Sequence, residues 1–370
     1  MSSFQYGDEQ VRDRDIMVAI PSMVIAVGIL TLPRNMAQVT VAVDGWVSIV
    51  ISGGIVIVFT WMAAKLSSLF PGQSFFTYAS NLVTKPIAVM LTFLLLLQGL
   101  LITAFEIRAV ADISHQYLFD KTPIEVVALT ILLVIIYAVS GSRAGIFRLN
   151  SLFLPMIFLV SLVIILVSIA YFKMEHILPV FKTDINGFWE GIKLSSFSYT
   201  GFGILLFYIP YVKSPRKTPL KAVTGMSWAI VLYVLLYFTC IAVFGDVATA
   251  NINFPTIELA RAVELPGGFF VRFESIFFVI WIMAVFTTAV MAFDASVIAL
   301  QSLFKGIRKF TAILIYSPTI YLISTIPENF LEVRMLSELI SFYEIALVVP
   351  VTVLLLAIAK GKGEKNSGRE

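Results

Sequence analysis

The residues best suited to hold a small polar molecule lie in two apolar segments that are broken by glycine in matching places. Val24-Ile-Ala-Val-Gly28-Ile-Leu-Thr-Leu-Pro33 and Tyr199-Thr-Gly-Phe-Gly203-Ile-Leu-Leu-Phe-Tyr-Ile-Pro210 each read Gly-Ile-Leu and then reach a proline. A helix interrupted inside an apolar segment exposes N–H and C=O groups that hydrocarbon cannot satisfy and a ligand can. At Val27, Gly28 and Ile29 the second half-helix begins, and its free N–H groups suit an anion such as a carboxylate. The competing reading of Gly28 is close helix packing, a common use of glycine in membranes. In the second break Ser198, Tyr199 and Thr200 offer hydroxyls beside the carbonyls freed at Gly201, a set that could receive an ammonium or a sugar hydroxyl. Phe202 could cover the apolar part of the ligand.

Other polar groups stand in apolar surroundings. Thr287 and Thr288 put two hydroxyls at mid-segment, where a threonine often bonds its own backbone four residues back. Glu106, Asp294 and Glu344 are acids inside apolar runs, which are costly in hydrocarbon and therefore candidates for function. Glu106 and Glu344 are expected to form a polar relay lining a hydrated vestibule above the glycine breaks, against the alternative of buried packing groups. Asp294 belongs toward the opposite side, and Arg108 pairs best with Asp112, one helical turn on. Cys240 is alone, and His115 and His176 are far apart, so no disulfide framework or His/Cys metal site is expected. No HExxH, GxSxG, GxxxxGK[ST] or CxxC pattern occurs, so the common hydrolase, metalloprotease and nucleotide-binding mechanisms lack their parts; neither an enzyme nor a cofactor is expected.

The elements that must position these groups are membrane helices. Of the 370 residues, 59% are hydrophobic and 13% charged, and the apolar residues come in runs of about twenty. An all-α polytopic membrane protein follows, with spans expected at 16–36, 45–69, 86–114, 123–140, 149–172, 187–212, 219–244, 269–301, 310–326 and 338–359. Ten spans divide five and five, over about 15–173 and 187–359, within one transmembrane domain covering 1–360. An odd number of spans per half forces opposite topologies, so helices 1 and 6, both discontinuous, face each other across an inverted repeat. With the N-terminus inside, 17 Lys and Arg fall on the cytoplasmic side and 8 on the other, which places both termini in the cytoplasm. The net charge of +3 is thus an orientation signal and not a nucleic-acid footprint. A short outer helix around Asn253–Glu264 could act as a lid or be an ordinary surface helix, and 361–370 is expected to be a disordered tail.

Leu32-Pro-Arg34, Asp44-Gly-Trp46, Thr122-Pro123, Arg148, Leu178-Pro179-Val180, Phe254-Pro-Thr256, Arg272 and Trp281, in that order, resemble the B subunit of the spore nutrient germinant receptors. That family is part of the amino acid, polyamine and organocation transporter superfamily. The resemblance implies a LeuT-like fold, the inner membrane of a bacterial spore, receptor A and C subunits as partners, and a small nutrient germinant such as an amino acid or sugar. The same broken helices would serve a proton- or sodium-coupled amino acid permease. Sodium-coupled relatives of this fold use a similar Ala-x-x-Thr-Ser, which makes Thr287 and Thr288 a weak candidate cation site. Permeases of the superfamily commonly read Gly-Ser-Gly-Ile in the first break, whereas Ala26-Val27-Gly28-Ile29 stands here; the pocket is less polar than usual and lacks a hydroxyl donor for a carboxylate.

Overall fold

The computed structural model describes residues 11–118, 120–262 and 273–367. Within them the regular secondary structure is all helix, with one isolated parallel bridge, Val11 to Val212, in place of any strand. The first expected span is two helices, α1 (Asp13–Val24) and α2 (Gly28–Ala37), bent by 54° at the glycine break. The sixth is its counterpart: α9 (Ile185–Phe197) stops at Ser198, and after Gly201 the chain tightens into 3-10 turns around α10 (Leu205–Tyr208), with a bend of 45°.

Between these lie α3 (Gly45–Ser68), a short α4 (Phe75–Leu82), α5 (Lys85–Tyr117), α6 (Ile124–Ser140), α7 (Arg143–Ser168) and the single turn α8 (Met174–Ile177). After the second break come α11 (Thr218–Phe244), the short α12 (Asp246–Asn251) and α13 (Pro255–Ala262), then α14 (Phe273–Leu303), α15 (Lys309–Thr325) and α16 (Phe330–Ser367). Among the described residues, six helices are long and apolar enough to cross a membrane singly, or up to eight if each bent pair is one span. At 17 residues each, α6 and α15 are shorter, about 26 Å, and complete the ten expected segments.

Packing follows the expected symmetry. The second and seventh segments (α3 and α11), the third and eighth (α5 and α14) and the fourth and ninth (α6 and α15) lie against each other, as helices near a two-fold axis in the membrane plane must. Small residues allow close approach: a methyl group at Gly53 would meet Ile230 at 2.7 Å, and one at Gly99 would meet the Ala292 carbonyl at 2.6 Å.

Three boundaries differ from the sequence reading. α16 begins eight residues earlier than the expected start, because Asn329 accepts from the Glu332 amide at 3.1 Å while Glu332 accepts from the Glu328 amide at 2.8 Å, a reciprocal cap. It also continues to Ser367, through residues assigned to a disordered tail, since a nucleated helix adds residues cheaply and no proline stops it. α4 sits where a connection was expected, its first turn capped by Ser74 Oγ. α14 is described from Phe273, so 269–272, Arg272 among them, lie outside the described residues.

Loops are fixed by buried side chains at both ends of the bundle. Asp44, ahead of α3, accepts from the amides of Phe181, Lys182 and Thr183 at 2.6, 2.8 and 2.9 Å and from the Thr183 hydroxyl at 2.9 Å, which clamps the connection before α9. At the end that carries Val11, Asp294 on α14 is fully buried and pairs with Arg143 at 3.5 Å and Lys309 at 3.1 Å, while the Tyr208 hydroxyl donates to it at 3.0 Å. Tyr208 ends α10, so this network seals the Val11 end beneath the second break. Arg108 pairs with Asp112 at 3.0 Å, as expected from their spacing.

Candidate ligand-binding site

The two breaks meet at mid-bundle, and most of the carbonyls freed in the first are already taken. Tyr233 Oη on α11 lies 2.7 Å from the Val24 carbonyl and 3.2 Å from the Ser198 carbonyl, so one hydroxyl bridges both broken helices. Trp281 Nε1 donates to Ala26 O at 3.1 Å, Thr288 Oγ1 to Ser22 O at 2.8 Å, and Thr256 Oγ1, from α13, to Ile29 O at 2.7 Å. The amides of Ile29 and Leu30 turn back to Ile25 O (3.4 Å) and Val27 O (3.0 Å). Fewer donors remain for an anion at α2 than the broken helix alone implies.

The second break carries its own acceptor. Glu344 on α16 is fully buried and its Oε1 accepts from the Gly201 amide at 2.6 Å and the Gly203 amide at 3.4 Å. Gly201 adopts φ +114°, a left-handed conformation that a side chain would strain, and a Cβ there would meet Met23 Cγ at 2.6 Å. Gly28 is equally confined: a Cβ would collide with the Tyr233 hydroxyl. Both glycines thus serve close approach of the two breaks.

Between them lies a cavity of about 140 Å³. Since one water centre needs roughly 10–15 Å³ of such space, it can hold roughly ten waters or a ligand with a similar number of heavy atoms. Its deep wall comprises Val27, Gly28, Ser198, Thr200, Gly201 and Glu106, with Phe105 and Phe197 as the aromatic surface. Thr288 also lines it. From there it extends toward the α13 end, to Arg34, Asn253, Phe254 and Phe330. Arg34 donates to Asn253 Oδ1 at 2.9 Å and to Ala250 O at 3.3 Å and lies 6.0 Å over the Phe330 ring, whose edge meets Phe254. This rim ties α2, the α12–α13 connection and the start of α16 together.

The structure separates the residues singled out from sequence. Val27, Gly28, Ser198, Thr200, Gly201, Glu106 and Thr288 line one cavity; Ile29, Tyr199, Phe202, Thr287 and Glu344 do not. Tyr199 is fully buried, bonding Ile49 O at 3.1 Å with its ring against Tyr233, and Phe202 is packed away, so Phe105 and Phe197 take the covering role expected of Phe202. Thr287 donates to Ala284 O at 2.8 Å, the ordinary backbone use of a membrane threonine, and Thr288 also lies 3.2 Å from that carbonyl. Glu344 does not line a vestibule with Glu106: it caps the second break because glycine amides left unpaired there need a buried acceptor. Among the described residues, no group of three or more His, Cys, Asp or Glu could hold a metal. Sequence reasoning missed Tyr233; the only available signal was that a tyrosine hydroxyl inside an apolar span must find a partner.

Comparison with known proteins places this geometry. The family model described as spore germination protein, Spore_permease, matches residues 10–333. The chain belongs to the spore permease family. Within the family it is similar to spore germination protein GerLB of Bacillus cereus, 34% identical over 100% of this chain and 99% of that protein. It is also similar to YndE of Bacillus subtilis (strain 168), 28% identical over 94% and 96% of the two chains, and to spore germination protein A2 of the same strain, 26% identical over 92% and 93%. Among solved structures it resembles MhsT in complex with L-phenylalanine (TM-score 0.73, 15% identity, 96% of this chain and 91% of that one). The nucleobase-cation-symport-1 family transporter Mhp1, closed with bromovinylhydantoin bound, is similar too (TM-score 0.71, 13% identity, 94% and 78%). The fold is that of the LeuT-like transporters, as the resemblance read from the sequence implied.

Proposed function

We propose that this chain is the nutrient-binding membrane subunit of a spore germinant receptor. The observation that carries the reading is the cavity between the two helix breaks, lined by Val27, Gly28, Ser198, Thr200 and Gly201 and of a size for a small amino acid or similar nutrient. MhsT, with the same fold, holds L-phenylalanine, which supports a small amphipathic ligand here. The names of the family relatives support a role in germination.

The nutrient enters from the α13 end past Arg34, Asn253 and Phe330, and the distribution of basic residues supports this end as the outer one. The Val11 end, closed by Asp294, Arg143 and Lys309, faces the cytoplasm with both termini. Binding shifts the relation of the two breaks, held by Tyr233 and by the Glu344 link to α16, and the change passes to partner A and C subunits. The alternative, a proton- or sodium-coupled permease, is favoured by the transporter fold, and uptake of radiolabelled amino acids into proteoliposomes containing the chain alone separates it.

Germination of spores carrying Gly28→Val tests the site. A β-branched side chain there would displace the Tyr233 hydroxyl and fill the wall of the cavity. The expected outcome is loss of the nutrient response with the protein still present in spore membranes. An unchanged half-maximal nutrient concentration at normal protein levels overturns the site.

A further inference from the structure

Glu106 projects from α5 into the same cavity and is 5% exposed, yet its Oε2 finds no hydrogen-bond partner in the protein. A buried carboxylate oxygen without a partner is costly, and it is retained where a ligand completes it. The other acids that line the cavity each have a cation, although Asp112 Oδ2 also lacks a hydrogen-bond partner. Asp112 pairs with Arg108 at 3.0 Å, Glu338 with Arg334 at 3.0 Å, and Arg34 is held by Asn253 and the Ala250 carbonyl. Among the described residues Glu106 is thus the acid lining this cavity that no cation meets.

The breaks cannot do its work. Carbonyls that an ammonium could use in the first break are occupied by Tyr233, Trp281 and Thr288, and the Ser198 carbonyl of the second shares the Tyr233 hydroxyl at the longer distance of 3.2 Å. The amides of Gly201 and Gly203 already have an acceptor in Glu344. A ligand carboxylate therefore gains little at the second break, whereas a ligand cation meets a carboxylate at low dielectric beside Gly28 and Gly201.

We infer that Glu106 receives the ammonium group of the nutrient, so the cavity selects an amine-bearing molecule of amino acid size over a sugar. A charge-assisted N–H to O contact is about twice as strong as a neutral one, which a sugar hydroxyl could not match. The inference rests on the reading of this cavity as the nutrient site, and the experiment separates the two. Full-length protein, purified in detergent and shown to be monodisperse, is titrated with the twenty standard L-amino acids, D-glucose and D-fructose, with thermal stabilisation as the readout of binding. Each amino acid that binds is compared with the 2-hydroxy acid of the same side chain, in wild type, Glu106→Gln, Glu106→Asp and Gly28→Val.

The expected result is amino acid binding that weakens at least tenfold when the amine becomes a hydroxyl, with Glu106→Gln erasing that preference and Glu106→Asp keeping part of it. Should Glu106→Gln not fold, the amine-to-hydroxyl ratio in wild type decides: a ratio near one overturns the inference. A sugar or hydroxy acid bound as tightly as any amino acid, sensitive to Gly28→Val and indifferent to Glu106→Gln, overturns the amine inference and leaves the cavity in place. Binding indifferent to Gly28→Val, or no binding by any compound, overturns both.

Discussion

Replacing Glu344 separates its role as a built-in acceptor from that of an incidental polar group. Its Oε1 receives the Gly201 amide at 2.6 Å and the Gly203 amide at 3.4 Å, inside a fully buried environment. A hydrogen bond to a charged group contributes about 1.5–3 kcal/mol, and leaving a buried donor unpaired costs about 1–3 kcal/mol. Glu344→Leu orphans both amides, so the cost is about 2–6 kcal/mol, a large share of a typical stability of about 5–15 kcal/mol. Glu344→Gln keeps an accepting oxygen and loses only the charge, for about 1 kcal/mol. At roughly 2 °C per kcal/mol for a chain of this size, the unliganded melting temperature should fall by about 4–12 °C for Leu and about 2 °C for Gln. Thermal unfolding of the detergent-purified protein reads both. Equal melting temperatures for Leu and wild type would refute the capping role, and a Gln variant as damaged as Leu would show that charge alone matters.

Gly201→Ala should destabilise by about 2–4 kcal/mol, because φ +114° strains an alanine and its Cβ presses on Met23; adding Met23→Ala should recover the packing part and not the strain, as read by thermal unfolding. Tyr233→Phe removes the hydroxyl shared by Val24 O and Ser198 O, at about 1–2 kcal/mol, and should weaken nutrient response even where abundance is normal in spore membranes. Asp294→Asn leaves Arg143 and Lys309 without their carboxylate; both are partly exposed, so the loss should be about 1–3 kcal/mol and accompanied by faster cysteine labelling at the Val11 end. Burial pushes the Asp44 carboxyl up, but the amides of Thr183, Phe181 and Lys182 and the Thr183 hydroxyl outweigh it and hold it below the ordinary 3.8. Its stabilisation is therefore complete above about pH 4 and lost as pH falls through the depressed value; Asp44→Asn should flatten that acid limb of melting temperature against pH.

The helices and both breaks were legible because apolar runs and paired glycines are local signals, and the positions at 24–33 and 199–210 fell on the bends. Gly28, Gly201, Ser198 and Glu106, which line one cavity, could be singled out because irregular backbone and an acid in a span are each costly without a purpose. Partner choice was not legible. Glu344 is 143 residues from Gly201, and nothing in the chain between them says that its carboxylate would cap that amide. Tyr199 and Tyr233 are both tyrosines in spans, and only packing decides that one bonds Ile49 and the other joins the two breaks. The early start of α16 was readable in Asn329-Phe-Leu-Glu332, a capping signature hidden by searching for the apolar run at Glu338.

The most direct test of the proposed nutrient site between the broken helices is a cryo-EM map of the full-length protein at saturating concentration of an amino acid that it binds. Ligand density bounded by Val27, Gly28, Ser198 and Gly201, with its amine against Glu106, is the expected result. Density for the amino acid at any other place in the protein, with this cavity empty or collapsed, would contradict it.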